Sequence, residues 1–173
     1  MKKIEVKVKS LSHKAFAPYG TIIGPRDSKP TFSNSELNLW FGIDEIKLSN
    51  GIGQICWLEV KSKRPFICDK LECHMNCSET IIPMLGQSIL VVGLPGSGPD
   101  SSDLPDIKSI EAFFVDGTRG VNLKPGVWHW LPYPVSEKAY FALILKEGTP
   151  EEDLQVVDLN KEFGLSIKLV LEK

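Results

Sequence analysis

The sequence is short of most features that mark a specialised chain. It has no run of 18 apolar residues, so it offers no candidate transmembrane helix. The opening MKKIEVKVKS alternates charge with Ile4, Val6 and Val8 and has no apolar stretch of signal-peptide kind, so the expected compartment is the cytoplasm. There is no surplus of basic residues, 20 Lys+Arg standing against 22 Asp+Glu, and the electrostatic footprint of a nucleic-acid binder is missing. No G-x-S-x-G nucleophile elbow occurs, and no internal repeat or heptad. Histidine is scarce: His13, His74 and His129 are all there are. Helical signals are few. Ser12 reads as the cap of a turn through Phe16, stopped by Pro18, and Thr149-Pro150-Glu151-Glu152 reads as an N-cap, a first-turn proline and dipole-matched acids.

What is present is ordinary in bulk and distinctive in order. Of the 173 residues, 42% are hydrophobic and 24% charged, enough for a packed core and incompatible with wholesale disorder. Fourteen glycines and twelve prolines punctuate short runs rich in Val, Ile, Leu, Phe and Trp, the pattern of many strands joined by turns. Strands are expected at 3–9, 21–23, 37–41, 52–60, 88–93, 110–115, 127–131, 140–145, 154–159 and 167–171. Ten strands and little helix predict one all-β domain over 1–173, a sandwich or barrel. The segment Gly93–Pro105 reads as a connecting loop. Its glycines Gly93, Gly96 and Gly98 lack the Lys-Ser or Lys-Thr and the helix that a phosphate loop needs.

Cysteine offers little chemistry. Without a secretory signal, Cys56, Cys68, Cys73 and Cys77 are expected as reduced thiols. A zinc knuckle from Cys68, Cys73, His74 and Cys77 is disfavoured, because adjacent Cys73 and His74 leave opposite faces of a strand. Nothing beside Cys77 marks it as a nucleophile paired with His129.

The informative stretch is Glu72-Cys73-His74-Met75-Asn76-Cys77-Ser78-Glu79. Glu72 and His74 are two apart, so on a strand they share a face. Asn76 and Ser78 are turn residues that let Glu79 return on the next strand. Gly126-Val127-Trp128-His129 supplies a second imidazole. Two imidazoles and one or two carboxylates form a mixed N/O set suited to a divalent transition metal such as zinc, nickel or manganese. The candidate metal ligands are Glu72, His74, Glu79 and His129, a set to which the cupin resemblance of its spacing gives weight. Ligating imidazoles must be neutral, so affinity is expected to fall below about pH 6.5.

The spacing resembles the cupin pattern H-x-H-x(3–4)-E-x(6)-G, with Glu72 in place of the first His and His74, Glu79 and Gly86 in register. Pro125, Gly126 and His129 approximate the second cupin motif. A closer resemblance spans nearly the whole chain, to the ureidoglycolate lyase family. Ala15-Phe16-Ala17-Pro18-Tyr19-Gly20-Thr21-Ile22-Ile23 resembles its N-terminal motif. Glu72–His74 with Ser78-Glu79-Thr80-Ile81-Ile82-Pro83 resembles its central segment. Gly120-Val121-Asn122-Leu123 and Trp128-His129-Trp130 resemble its late signature.

The resemblance implies a cupin-like antiparallel β-barrel (a double-stranded β-helix or jelly roll) with one or two short helices. It also implies cleavage of a C–N bond of ureidoglycolate to glyoxylate and urea, and a homodimer, for which a sheet edge near the N-terminus is a candidate surface. Within that frame Glu79 and His129 are the expected catalytic residues, and Asn122, Trp130 and Lys146 the expected contacts to a small polar carboxylated substrate. The departures point elsewhere as well. Cys73 stands for an arginine, Glu79 for a glutamine, Trp130 for a second histidine, Lys146 for an arginine, and Leu39 near the place of another. A lysine does not replace the bidentate fork of a guanidinium. Two alternatives thus stay open: a non-catalytic ligand-binding or sensory cupin, and a metal-dependent cupin enzyme acting on another small carboxylated metabolite.

Overall fold

The computed structural model describes residues 2–26, 28–97 and 104–172. Strand β1 (Lys2–Ser10) leads into a one-turn helix α1 (His13–Phe16), whose cap is the expected Ser12 with its side chain accepting from Ala15 N. Then come β2 (Gly20–Ile23), two short pieces β3 (Phe32–Ser33) and β4 (Asn38–Leu39), and the long β5 (Gly53–Val60). The middle of the chain gives β6 (Ile67–Cys68), β7 (Lys70–Cys73), β8 (Glu79–Leu85) and β9 (Ser88–Gly93). The rest is β10 (Glu111–Val115), β11 (Gly120–Leu123), β12 (Trp128–Pro134), β13 (Ala139–Lys146), α2 (Thr149–Glu152), β14 (Gln155–Asp158), α3 (Leu159–Phe163) and β15 (Leu165–Val170).

These strands form an eight-stranded sheet in the order β14-β7-β12-β9-β10-β1-β15-β6 and a five-stranded sheet in the order β2-β11-β8-β13-β5. The all-β architecture is the expected one. Pairing is antiparallel throughout both sheets except at β1, which runs parallel to β10 and to β15. Strand β1 is therefore bracketed within the large sheet and is not the free edge anticipated near the N-terminus. The edges are β14, β6, β2 and β5.

Strand β9 is buried on both faces, and its alternation divides the interior in two. Leu90 and Val92 join Ile81, Val121, Leu123 and Phe141 in a core between the sheets, with Phe113 edge-on to Phe16 at 5.3 Å. Ile89 and Val91 join Leu71, Cys73, Trp128 and Ile167 in a second core on the other side. A period of two thus decides which side chains meet.

Two glycines of the recognised motifs are fixed by contact. A Cβ on Gly20 would lie 2.1 Å from the Asn122 carbonyl oxygen, across the β2–β11 pair. Gly86 has φ +85, and a Cβ there would lie 2.5 Å from the Lys138 carbonyl oxygen.

Local expectations needed correction in several places, beginning with β7, β8 and β11, which were not among the expected strands. The strand expected at 37–41 shrinks to the exposed Asn38–Leu39 ladder. Thr149 does not cap α2; Gly148 does, at φ +77, and the Thr149 hydroxyl donates to Lys146 O at 2.6 Å. α3, absent from the sequence reading, is capped by Asp158 and closed by Gly164. The loop at Gly93–Pro105 is pinned at its neck by Gly96 N donating to Leu104 O, while Gly98 lies outside the described residues.

Candidate metal centre

Each ligand candidate is aimed by strand alternation. In β7, Leu71 and Cys73 enter the second core, so Glu72 turns to the opposite face. Directly across the ladder from it is His129 of β12, whose neighbours Trp128 and Trp130 also belong to the second core. Glu79 opens β8 on the facing sheet, two residues before the inward Ile81. His74 stands in the turn joining β7 to β8. Both sheets and one turn thus contribute to a single point.

Glu72, His74 and His129 offer donor atoms all within 4.8 Å of one another. Glu79 Oε2 is 2.7 Å from His129 Nε2 and 3.5 Å from His74 Nε2, and Glu72 Oε1 is 3.8 Å from His129 Nε2. The imidazole rings are 5.3 Å apart at a 60° tilt. Neither Glu79 Oε2 nor His129 Nε2 has a hydrogen bond of acceptable geometry, despite their 2.7 Å separation. Two buried polar atoms left without an aligned partner are the kind of group whose surroundings call for an explanation.

The outer nitrogens point the same way. His129 Nδ1 is 3.0 Å from Val127 O and His74 Nδ1 is 3.2 Å from Asp153 O. A carbonyl only accepts, so each ring carries its proton on Nδ1 and turns Nε2 to the centre, the arrangement of metal-bound histidine.

Without a cation the cluster is an ion pair. Burial alone would push the Glu79 carboxyl up, but the charge and contact of His129, then of His74, hold it down to about 2. Burial would likewise push the His129 ring down, but Glu79, the Val127 carbonyl and Glu72 raise it to about 9. The expectation that affinity falls below about pH 6.5 used an unperturbed imidazole; the competing proton on His129 leaves near 9 instead. Glu72 is raised, by burial first and by the Glu79 charge, against the opposing pull of His129. It is also the least buried of the four, its side chain 17% exposed.

The structure does not bring the three expected substrate contacts to this cluster. Asn122 lies between the inward Val121 and Leu123, so it faces out of the small sheet. There it donates to Asp44 Oδ2 and Glu45 O and accepts from the Thr80 hydroxyl, lining a cavity of about 270 Å³ under Trp40. Trp130 packs against the second core and lines a cleft with Arg64, Asp69 and Tyr133. Lys146 pairs with Glu152 at 3.6 Å. Leu39 is exposed on its short ladder. The arginines are engaged elsewhere: Arg26 donates to Ile43 O, Arg64 to Leu131 O and Pro132 O, and Arg119 faces Asp116. The cysteines converge on no ion: Cys68 Sγ donates to Lys70 O, Cys73 Sγ to Gln155 Oε1, and Cys77 meets the Thr149 hydroxyl. Asp153 was missed altogether, since only the folded chain brings it to the His74 turn.

Comparison with known proteins gives this geometry a family. The sequence model of the ureidoglycolate lyases matches residues 3–166. The chain belongs to the ureidoglycolate lyase family. Among its relatives, the ureidoglycolate lyase of Pseudomonas paraeruginosa is 28% identical over 149 residues, covering 83% of this chain and 85% of that one. The ureidoglycolate lyase of Escherichia coli is 26% identical over 159 residues, covering 89% and 95%. This family of enzymes therefore accounts for nearly the whole chain. Outside it, solved chains of Bacillus subtilis oxalate decarboxylase, one studied for its Mn(II) centres, overlay with a TM-score of 0.42 at 14% identity. That overlay covers 78% of this chain and 31% of the decarboxylase, a looser likeness than the family match.

Proposed function

We propose that the protein is a metal-dependent lyase that cleaves a C–N bond of ureidoglycolate to give glyoxylate and urea. The observation that carries the reading is the convergence of Glu72, His74, Glu79 and His129 inside a chain of this family. When bound, a divalent transition metal (zinc, nickel or manganese) supplies a positive centre that polarises the carboxylate and hydroxyl oxygens of the substrate. The chain's own residues must do the rest. The carbinol oxygen gives up its proton, its electrons form the aldehyde C=O, the C–N bond breaks, and the urea nitrogen takes a proton. Of the catalytic pair read from sequence, His129 is either ligand or acid in a given state, because its Nδ1 is committed to Val127. Glu79 is the deeper carboxylate, beside both imidazoles, and serves as ligand. Glu72, the most open of the four, is the proton carrier we assign.

A second reading is favoured by the arginines. None is placed to grip a carboxylate at the cluster, and one lost charge-assisted hydrogen bond weakens binding by about 1.5–3 kcal/mol. A different small carboxylated metabolite, converted or merely bound, fits that absence. Glyoxylate release from ureidoglycolate with added Mn, Ni or Zn, and with His74→Ala as control, decides between them. Turnover lost in His74→Ala supports the lyase; no turnover with metal bound moves the assignment to another small acid.

The working unit we propose is one cupin domain paired with a second copy. Edge strand β5 leaves Ile55 82% and Trp57 61% exposed, and Met84 of β8, across β13 in the same sheet, is exposed too. Apolar side chains so open on an edge strand favour burial against a partner. Sedimentation showing a monomer at micromolar concentration would remove that part. The cytoplasm remains the proposed compartment: no helix of the described residues is long and apolar enough to cross a membrane, and no cysteine is in a disulfide.

A further inference from the structure

We propose that Asp153 is the positioning residue of this centre, gripping the Met75–Asn76 turn and fixing the His74 ring so that its Nε2 faces the ion. The inference rests on the metal reading above. Asp153 is buried, and its charge is met by three N–H donors of one turn. Met75 N and Asn76 Nδ2 donate to Oδ1, each at 2.9 Å, and Asn76 N donates to Oδ2 at 2.8 Å. The same residue offers its backbone oxygen to His74 Nδ1 at 3.2 Å. Side chain and main chain thus hold one turn, and the ring it carries, from a single position.

The grip has a rigid base. Asp153 N donates to Thr149 O at 3.0 Å, closing α2. The Thr149 hydroxyl donates to Lys146 O at the end of β13 and contacts Cys77 Sγ at 3.5 Å, at the far end of the turn being held. On the opposite side Gly126 N donates to His74 O at 2.7 Å and ties the turn to the segment that carries His129. Both histidine segments are thereby referred to one frame. Asp153 controls the element of that frame that chooses the His74 tautomer. A residue that only closed a turn would not place its carbonyl on the ligating ring.

Asp153→Asn is the sharp variant. It keeps the shape, yet turns an amide N–H₂ toward backbone N–H groups that need an acceptor. Zinc affinity is measured by chelator competition, the His74 tautomer in metal-free protein by long-range ¹H–¹⁵N spectra, and ligand geometry by the visible bands of the cobalt(II) form. We expect Asp153→Asn to stay folded, to bind zinc about 10- to 100-fold more weakly, to mix the two His74 tautomers and to shift the cobalt bands. Wild-type affinity with an undisturbed Nδ1–H tautomer overturns the proposal. Should Asp153→Asn fail to fold, Asn76→Ala, which removes one of the three bonds, replaces it: a smaller loss of affinity supports the proposal and none overturns it. If the wild-type protein binds no zinc, the metal reading fails, and the tautomer readout still decides whether Asp153 orients His74.

Discussion

A proton and a metal ion compete for one atom of His129. Its Nδ1 is committed to the Val127 carbonyl, so either must sit on Nε2. In metal-free protein that proton is held up to about pH 9, burial opposing it and Glu79 more than compensating. At pH 7 an entering ion therefore displaces it at a cost of about 100-fold in apparent affinity, or about 3 kcal/mol. Raising the pH from 6.5 to 8.5 should tighten zinc binding about 100-fold, with a plateau above about 9. Competition against a chelator, corrected for the chelator's own protonation, gives the slope. Calorimetry in two buffers of different protonation enthalpy should count about one proton released per ion at pH 7. Affinity that stays flat from pH 6.5 to 8.5, with no proton released, would refute the reasoning. A window centred near 6.5 would mean that Glu79 does not hold the proton.

The same pair sets the pH response of the metal-free fold. The His129 contribution is complete below about 6.5 and is lost as pH rises through about 9, and the Glu79 contribution is present above about 4.5 and lost as pH falls through about 2. Urea unfolding of metal-free protein should accordingly show this contribution, about 3 kcal/mol counted once for the pair, fully developed between about pH 4.5 and 6.5. His129→Ala should lower stability by about 3–5 kcal/mol by leaving Glu79 buried and uncompensated, and adding Glu79→Gln should restore part of it. Phe16→Ala empties a fully buried site against Phe113 and should cost about 3–5 kcal/mol in the same assay. Trp130→Phe should leave zinc affinity unchanged, since that ring faces the second core.

What could be read from the chain, and what could not, divides along one line. Spacing pointed to Glu72, His74, Glu79 and His129 as neighbours, and they do meet, because two-residue alternation and a tight turn are local properties; Gly86 closes the opposite end of β8. The same alternation, applied to its neighbours, would have turned Trp130 away from His129 and Asn122 away from the interior; the motif conveyed position along the chain without conveying face. Asp158 with Gly164 is an ordinary cap pair, hidden because strand-like Val156 and Val157 run straight into it. Asp153 had no local signal at all. Its partners lie 77 to 79 residues away, and only the folding of α2 against the β7–β8 turn brings them together.

The parallel pairing of β1 also imposes a schedule on biosynthesis. Lys2 faces Leu165 and Lys7 faces Val170, partners about 160 residues apart. At translation rates of about 5–20 residues per second, the Lys2–Lys7 stretch of β1 waits roughly 10–30 s for β15, whereas Val8–Ser10 meets β10 sooner. During that interval Ile4 and Val6 lack Leu165, Ile167 and Leu169, the β15 side of the second core. The lysines at positions 2, 3, 7 and 9 act as gatekeepers, keeping a waiting strand from pairing with its copies on neighbouring nascent chains. The large sheet closes only after synthesis has passed β15, so replacing those lysines with threonine would show first as aggregation during expression, with little change in the stability of whatever folds.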